Sequence, residues 1–500
     1  MSIQEYTHKI AKGAVLVFLG MILGRAITYL YIILLAKLGS TEYGLLNLGF
    51  TLISIFSVIA IFGLRKGIVR YIAYFKEKKD EPRIKGTILS SLKISLPISL
   101  ILASLLFFFP EFISNLLFNK VEMAPILKIF SLVIPFLTLT EVFTNSTVGF
   151  QEVKYQVWIR DIIPNIIKLA LTYFLISLGY SLMGVAWAYV IAVIIASLLS
   201  FYFLQKKVFP IYKNNIKAKL ITKSLFIYSA PLIFAGLLQM IIRWADVLMI
   251  GRFRTISEVG IYSVTLPTAN LLTIAPTALM ALFLPIITGL YSKNKSKDIH
   301  KISETTSRWI LITNLPIFFF ILLYSKEILK IMFGSEYVLG TTALIILIFA
   351  YMIRSLAHVH ASILNMIKKN KTLFKIIVIS SILNIILNYL LIPTLGIEGG
   401  AIATAVALLV NFILLTLSAY KFEKIQPLKW KFYSKIILVG LFVYILMFIL
   451  KPLILVDNLW MLLLAALVYG FIYVILIFIF KLIVKEDKIF IKKILTKLRG

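Results

Sequence analysis

Long apolar runs, bounded by charged and turn residues, recur along the whole chain. A bilayer core of ~30 Å needs about 20 helical residues, and each run is about that long or longer. The pattern predicts fourteen membrane-spanning helices and therefore an all-α polytopic membrane protein. They lie near residues 10–37, 44–66, 84–109, 122–150, 155–178, 182–206, 223–250, 257–290, 303–324, 340–367, 371–395, 399–422, 432–451 and 457–484.

Positive charge collects in alternate connections between these helices. The basic segments are 65–85, 206–223, 293–308, 368–375, 421–435 and the tail from Lys481. Because Lys and Arg concentrate on the cytoplasmic side of membrane proteins, we predict that both termini are cytoplasmic and that the number of spans is even. The opposite connections, such as 38–44 and 178–184, are only a few residues long. They leave no room for an outer domain.

The chain contains an internal repeat with an offset of about 216 residues. Glu42-Tyr-Gly44 after the first span matches Glu258-Val-Gly260 after the seventh, and Leu178-Gly179 before the sixth span matches Leu395-Gly396 before the twelfth. Six spans per repeat is an even number, so the two copies run in the same direction. We predict an amino-terminal lobe at 1–209, a carboxy-terminal lobe at 210–424, and two additional helices with a basic tail at 425–500.

The amino-acid composition agrees with a protein that lies mostly within the lipid bilayer. Of the 500 residues, 61% are hydrophobic and 15% are charged, and the mean hydropathy is +0.99. Such a chain lacks the polar surface of a soluble domain. The net charge of +31 would suggest nucleic acid in a soluble protein. Here the basic loops account for it, so we predict contacts with membrane lipids and no nucleic-acid partner.

The sequence offers little catalytic chemistry. It has no Cys and only four His, and it lacks a phosphate-binding Gly-rich loop, a His-Glu-x-x-His motif and a Gly-x-Ser-x-Gly motif. We therefore predict no metal, no cofactor and no enzymatic activity. A membrane glycosyltransferase would need a catalytic acid on a sizeable outer loop, and the outer connections are too short to hold one.

A few ionisable residues lie inside the predicted spans, where a charge costs roughly 3 kcal/mol or more unless it faces a wet cavity or a partner. Six are basic, and four of these come from spans 1, 5, 7 and 10: Arg25, Lys168, Arg243 and Arg354. Arg25 is either a ligand for a diphosphate or part of an ion pair between helices. Since the four come from both repeats, we predict a cationic central cavity whose guanidinium groups suit phosphate oxygens.

The remaining candidates have two interpretations each. Asp246 lies three residues after Arg243 on one helical face, so the two form either a structural pair or a cavity site. His358 shares a face with Arg354, and a neutral, hydrogen-bonded imidazole is favoured over a proton-coupling role. Glu141, with Asn145 one turn later, is explained as well by packing between helices as by transport.

The chain resembles the polysaccharide transport family of the MATE-like flippases, which contains O-antigen flippases and is related to lipid II flippases. The ordered motifs that carry this resemblance cover spans 1 to 12. They are Lys12-Gly13, Gly24-Arg25, Leu38-Gly-Ser-Thr-Glu-Tyr-Gly44, Gly63-Leu-Arg-Lys-Gly-Ile-Val-Arg-Tyr-Ile-Ala73, Tyr228-Ser-Ala-Pro231, Ala245-Asp-Val-Leu-Met-Ile-Gly251, Val259-Gly-Ile-Tyr262 and the segment Asn384 to Gly400.

The resemblance implies a fourteen-helix transporter with two six-helix lobes around a central cavity that is often cationic. It implies a polyprenyl-diphosphate sugar as the substrate, carried outward from the cytoplasmic leaflet. By position, Arg25 resembles the family's span-1 arginine, and Asp246 resembles the span-7 acid that precedes Ile-Gly. Lys168 and Arg354 match no family motif, so their assignment depends on the cost of intramembrane charge alone.

We therefore predict a flippase for a lipid-linked oligosaccharide, working by alternating access in the cell membrane. Arg25, Lys168, Arg243, Asp246, Arg354 and His358 are its predicted cavity residues. The alternative is an ion-coupled exporter of small molecules with the same fold. An exporter of organic cations would need a strong acidic site, and Asp246 and Glu141 are the only deep acids. The predicted partners are the lipid-linked sugar and glycan-assembly proteins, and the predicted state is a monomer.

Overall fold

The computed structural model describes residues 20, 22–212, 216–423, 430–453, 456–480 and 482. The predicted motif Lys12-Gly13 and most of the basic tail lie outside these residues. The described chain is helical, without a strand, which confirms the all-α class. Its helices are α1 (Ile22–Ala36), α2 (Ser40–Ala60), α3 (Leu64–Glu77), α4 (Glu81–Phe108), α5 (Pro110–Phe118), α6 (Ala124–Ser131), α7 (Val133–Gly149), α8 (Val153–Val157), α9 (Ile163–Ser177), α10 (Leu182–Phe203), α11 (Thr222–Phe253), α12 (Ile256–Asn270), α13 (Ile274–Tyr291), α14 (Ser296–Met332), α15 (Thr341–Met366), α16 (Asn370–Glu423), α17 (Trp430–Leu450) and α18 (Leu459–Ile479).

The helices confirm a polytopic membrane protein. Eight helices within the described ranges are long and apolar enough to cross a bilayer, or up to ten if two bent pairs each count as one span. The number of fourteen spans remains a prediction. Helices and predicted spans do not correspond one to one, because some predicted spans are divided and others are merged. The predicted fifth span, 155–178, is divided into α8, a π-helical turn and α9. Conversely, α16 covers the predicted spans 11 and 12 together.

Gly396 divides the long helix α16 between those two predicted spans. Its φ of 60° and ψ of −133° are non-helical and belong to the left-handed half of backbone space, which glycine enters without steric cost. Pro393 precedes it by three residues, and proline removes one helical hydrogen bond. The break therefore lies at the connection that the sequence predicted between spans 11 and 12.

The chain divides into two compact units, residues 1–263 and 264–500. In the first unit, α3, α4 and α7 pack around a core that includes Leu64, Ile68, Ile88 and Val142. In the second, α13, α14 and α15 pack around a core of their own. The predicted lobe boundaries at 209 and 424 stay a prediction.

The two helices predicted to follow the repeat, α17 and α18, pack on α14. A partly buried polar contact joins them to it: the Lys451 ammonium lies 2.8 Å from a Glu327 carboxylate oxygen and donates to the Leu323 carbonyl oxygen at 2.7 Å. Lys451 lies directly after α17, so its charge is neutralised at the end of the helix. The appended helices are thus integrated into the second unit.

In the first unit, two glycines, one just before α1 and one within it, let this segment pack closely against α8 and the π-helical turn that follows it. A Cβ atom on Gly20 would overlap the Val157 side chain, and one on Gly24 would lie 2.7 Å from the Asp161 carbonyl oxygen. Further along, the ring of Tyr31 lies beside Lys168. Residues 20, 24 and 31 contact residues 157, 161 and 168, so residue numbers increase together along the two segments. The segments therefore run parallel, as expected of the first and fifth predicted spans.

Equivalent positions of the repeat meet where α2 crosses α12. Gly44 lies against the backbone of Ile256, and Gly260 lies against the backbone of Ser40. The contacts are reciprocal, because 256 − 40 and 260 − 44 both equal the repeat offset of 216. The hydroxyl oxygens of Ser40 and Ser257 lie 2.7 Å apart at the same crossing. The glycines that reveal the repeat in the sequence are therefore the residues that let the two backbones touch.

Candidate functional site

A π-helical turn at Trp158–Ile162 interrupts the helical path before α9. Pro164 explains it, because the ring clashes with the carbonyl one helical turn earlier and the proline nitrogen donates no hydrogen bond. The Asp161 carbonyl oxygen in this turn accepts a hydrogen bond of 2.7 Å from the Asn165 side chain. Single π-helical turns occur frequently at functional sites. This one carries Arg160 and Asp161.

Arg160 and Arg65 both contact the carboxylate of Glu141 on α7. The Arg160 Nη2 atom lies 2.7 Å from Oε1, and the Arg65 Nε atom lies 3.0 Å from Oε2. Asn145 donates to Oε2 at 2.9 Å. We call Arg65, Glu141 and Arg160 the Glu141 cluster. It joins α3, α7 and the π-helical turn, and it carries a net charge of +1.

Both arginines of the Glu141 cluster remain partly accessible. Their side chains are 43% and 38% exposed, whereas the Glu141 side chain is 17% exposed. The carboxylate therefore orients two guanidinium groups without consuming all their donors, since each guanidinium has five. An anion is able to reach them. Sequence reasoning did not single out either arginine: Arg65 belongs to the basic segment 65–85, and Arg160 lies near the start of the predicted fifth span. The signal that would have found them is Glu141, a deep acid that needs a cationic partner.

Arg25 lies at the same level of the first unit. The preceding residue, Gly24, contacts Asp161 in the π-helical turn. Arg25 is half-buried, and it forms no ion pair with a described residue. The ion-pair interpretation of Arg25 is therefore not what this structure shows. Within the described part of the chain, Arg25 is therefore a partly accessible guanidinium without a counter-charge, next to the residues that carry the Glu141 cluster.

Arg243 and Asp246 do not pair, although they share a helical face. The Asp246 carboxylate is buried and accepts a hydrogen bond of 2.8 Å from the Tyr262 hydroxyl group. Arg243 is exposed on α11, and its guanidinium lies near the neighbouring Trp244 ring. The structural pair considered from the sequence is thus wrong. Asp246 links α11 to α12, and Arg243 forms no ion pair with any residue that the structure describes.

Lys168 occupies a different environment, between two aromatic rings. Its ammonium nitrogen lies 5.1 Å from the centre of the Tyr31 ring and 5.5 Å from that of Tyr189. These rings belong to α1 and α10, so three helices meet at this lysine. Ring faces attract cations. No carboxylate of the described chain pairs with Lys168.

The second unit contributes Arg354 and His358, both on α15. Arg354 is exposed, with its guanidinium 5.4 Å from the centre of the Tyr351 ring. His358 is half-buried one turn later, and its Nε2 atom has no hydrogen-bond partner among the described residues. The hydrogen bond predicted for its ring is therefore not seen at that atom. The described residues contain no cluster of His, Asp and Glu suited to a metal ion.

An apolar cavity of about 480 Å³ lies between α14, α15 and α17 in the second unit. Its lining includes Leu311, Phe318, Phe349, Ile437 and Tyr444. No charged side chain lines it. Such a cavity suits a hydrocarbon chain and excludes a sugar or a phosphate, because burying an unpaired polar group is costly.

Comparison with known proteins shows the relationship directly. A family model described as polysaccharide biosynthesis protein matches residues 10–291, and a MatE model matches residues 231–390. The chain is 26% identical to an uncharacterised membrane protein of Methanocaldococcus jannaschii, over 99% of this chain and 100% of that protein. It is 28% identical to a probable low-salt glycan biosynthesis flippase, Agl15, of Haloferax volcanii, over 86% of this chain and 89% of that one.

The solved structure of a lipid II flippase, MurJ, in an inward closed conformation has the same fold. The TM-score is 0.71 at 20% identity, and the match covers 94% of this chain and 98% of that chain. The family predicted from the ordered motifs is thereby confirmed. Because the first family model matches more than half of its residues, the chain belongs to the polysaccharide biosynthesis protein family.

Proposed function

We propose that this protein is a flippase that carries a lipid-linked oligosaccharide across the cell membrane by alternating access. The observation that supports it most is a set of intramembrane arginines without carboxylate partners. Arg25 and Arg243 in the first unit are accessible to an anion and form no ion pair with a described residue. A guanidinium binds phosphate oxygens through two parallel hydrogen bonds, so a diphosphate head group fits this chemistry.

The Glu141 cluster adds to this cationic surface in the first unit. Arg65 and Arg160 are already oriented by Glu141, so a diphosphate that binds them loses little side-chain entropy. Arg354 and His358 of the second unit remain predicted contributors to binding. Asp246 has a lesser role in this proposal, because its carboxylate is buried against Tyr262.

The lipid portion of the substrate needs an apolar environment. The cavity between α14, α15 and α17 supplies one, with about 480 Å³ of space and an apolar lining. Unpaired arginines repel a cation and attract an anion. They therefore favour a lipid-linked anion over the organic cations of a small-molecule exporter. Both termini are cytoplasmic in this proposal, and the protein moves its substrate without chemical change.

The test is a flipping assay on the purified protein in liposomes. A fluorescent polyprenyl-diphosphate sugar is placed in both leaflets, and a reductant that cannot cross the membrane bleaches the outer leaflet. Wild-type protein should expose the inner pool to bleaching. Arg25→Ala and Arg243→Ala should each slow that phase at least tenfold, the equivalent of about 1.4 kcal/mol, because each removes one charge-assisted contact with the diphosphate.

Arg252→Ala is the matched control. Arg252 is an exposed arginine in the last turn of the same helix as Arg243, and it should leave the rate unchanged. If wild-type protein leaves the lipid untouched and exports soluble cations from the same liposomes, the exporter replaces the flippase. If wild-type protein flips the lipid and both arginine variants do so equally fast, the diphosphate site lies elsewhere.

A further inference from the structure

A second cavity, of about 380 Å³, lies in the first unit where the connection between α10 and α11 meets α3 and α4. Its lining includes Tyr71 and Phe75 of α3, Arg83 of α4, and Lys219 and Lys223 on either side of the start of α11. No acidic residue of the described chain lines it. We call this cavity the basic pocket, and its lining suits an anion rather than the hydrocarbon that suits the apolar cavity of the second unit.

The walls of the basic pocket are fixed by contacts between this connection and α4. The Lys219 N–H group donates to the Pro82 carbonyl oxygen at 2.9 Å, and the Ile221 N–H group donates to the Ser90 hydroxyl oxygen at 3.0 Å. Gly86 lets the two segments touch, because a Cβ atom there would overlap the Lys219 carbonyl oxygen. The backbone of the pocket is therefore ordered without a ligand, so binding costs little backbone entropy.

Two of the three basic groups in the pocket have no counter-charge. The Arg83 guanidinium lies 3.1 Å from an Asp80 carboxylate oxygen, so this pair is neutral. Lys219 and Lys223 are exposed, and neither forms an ion pair with a described residue. Their two ammonium groups therefore give the pocket a positive potential that attracts an anion.

An apolar surface continues from the basic pocket along α11. Phe226 and Ile227 follow Lys223 by three and four residues, so the three side chains lie on one face of the helix. Phe226 is 45% exposed and Ile227 is 62% exposed. In the predicted topology α11 is the seventh span, and its first turn lies at the edge of the bilayer. A ligand that fits both surfaces has an anionic head group and hydrocarbon chains.

We propose that the basic pocket binds the phosphate group of one anionic phospholipid of the surrounding bilayer, with the hydrocarbon chains along Phe226 and Ile227. Basic residues beside a membrane helix attract anionic lipid head groups, and Lys219 and Lys223 do so here. A zwitterionic lipid fits less well, because its own cation meets the same lysines. A free phosphate ion leaves the apolar face of α11 uncovered.

This phospholipid is a ligand that joins α11 to α3 and α4, and it is not the transported substrate. None of the arginines proposed to bind the diphosphate lines the basic pocket. The two sites can therefore be tested separately.

The test is native mass spectrometry of the delipidated full-length protein in detergent, which counts bound lipids one by one. Wild-type protein should bind one phosphatidylglycerol at least about tenfold more tightly than phosphatidylcholine. The double variant Lys219→Gln with Lys223→Gln should lose this preference, because it removes both uncompensated charges. Lys206→Gln with Lys207→Gln is the matched control. These two lysines are exposed directly after α10 and outside the pocket lining, so their double variant should bind as wild type does.

Ile227→Asn keeps both lysines and removes part of the apolar contact, so it should weaken phosphatidylglycerol binding severalfold. Lys219, Lys223 and Ile227 are exposed, so their variants should fold as wild type does. The proposal is overturned if wild-type protein shows no preference for phosphatidylglycerol, if both double variants lose it equally, or if Ile227→Asn binds unchanged.

Competition separates the lipid from other phosphates. Neither a polyprenyl-diphosphate sugar nor soluble glycerol 3-phosphate should displace phosphatidylglycerol at an equal concentration. Displacement by the sugar lipid overturns the proposal, because the pocket is then a substrate site. Displacement by glycerol 3-phosphate also overturns it, because the ligand is then a soluble phosphate.

Discussion

Gly44→Ala should lower the free energy of unfolding by about 3 kcal/mol, the upper end of the usual cost of overpacking. The added methyl group would overlap the carbonyl oxygen of Ile256, which belongs to the backbone of α12. A side chain can rotate away from such an overlap, whereas a helical backbone cannot. Gly260→Ala should cost a similar amount, because its methyl group would overlap the carbonyl oxygen of Ser40.

Thermal unfolding of the purified protein in detergent measures these changes. Gly289→Ala is the control, since a Cβ atom there meets nothing within 4 Å. An exposed helical position gains up to about 1 kcal/mol from Gly to Ala, so this variant should be at least as stable as wild type. The double variant Gly44→Ala with Gly260→Ala should lose less than the sum, because a single separation of the two helices relieves both overlaps. Full additivity, or wild-type stability of Gly44→Ala, would show that the helices do not cross there.

Glu141→Gln should destabilise the protein by about 2 to 3 kcal/mol. It keeps the shape of the side chain and its contact with Asn145, but it leaves the guanidinium groups of Arg65 and Arg160 without a counter-charge. Breaking a fully buried ion pair typically costs 3 to 5 kcal/mol. The expected value is lower because both arginine side chains are more than one-third exposed, so water screens part of the repulsion.

A double-mutant cycle separates charge from packing in the Glu141 cluster. Arg160→Gln alone should destabilise the protein, whereas the same change in the Glu141→Gln background should restore part of the loss, because it removes one of two uncompensated charges. Glu122→Gln, at an exposed position, should have no measurable effect. The interpretation fails if Arg160→Gln is equally costly in both backgrounds.

The sequence predicted much of the fold because the bilayer restricts the possibilities. In lipid every backbone polar group needs an internal partner, so a chain of long apolar runs becomes a set of helices. The match between Glu42-Tyr-Gly44 and Glu258-Val-Gly260 likewise indicated where the repeat lies. Breaks inside helices were harder to predict. The π-helical turn before α9 depends on Pro164, yet many prolines in membrane helices cause no such turn.

The partners of the intramembrane charges were decided only by the tertiary structure. Spacing along one helix placed Asp246 with Arg243, but the carboxylate instead bonds Tyr262 on the next helix. The sequence likewise did not single out Arg65 or Arg160, whereas both reach Glu141 from other parts of the first unit.

The sequence by itself determined that the protein is helical and membrane-spanning, and it predicted two parallel repeats and a few cations inside the spans. The periodicity of hydrophobic residues and the composition of a segment depend only on residues that are close in the sequence, so they can be read without the tertiary structure. The tertiary structure decided which cations are neutralised: Arg65 and Arg160 share Glu141, Lys168 lies between two rings, and Arg25 and Arg243 form no ion pair with a described residue. Charges interact through space, so distances between helices determine their pairing.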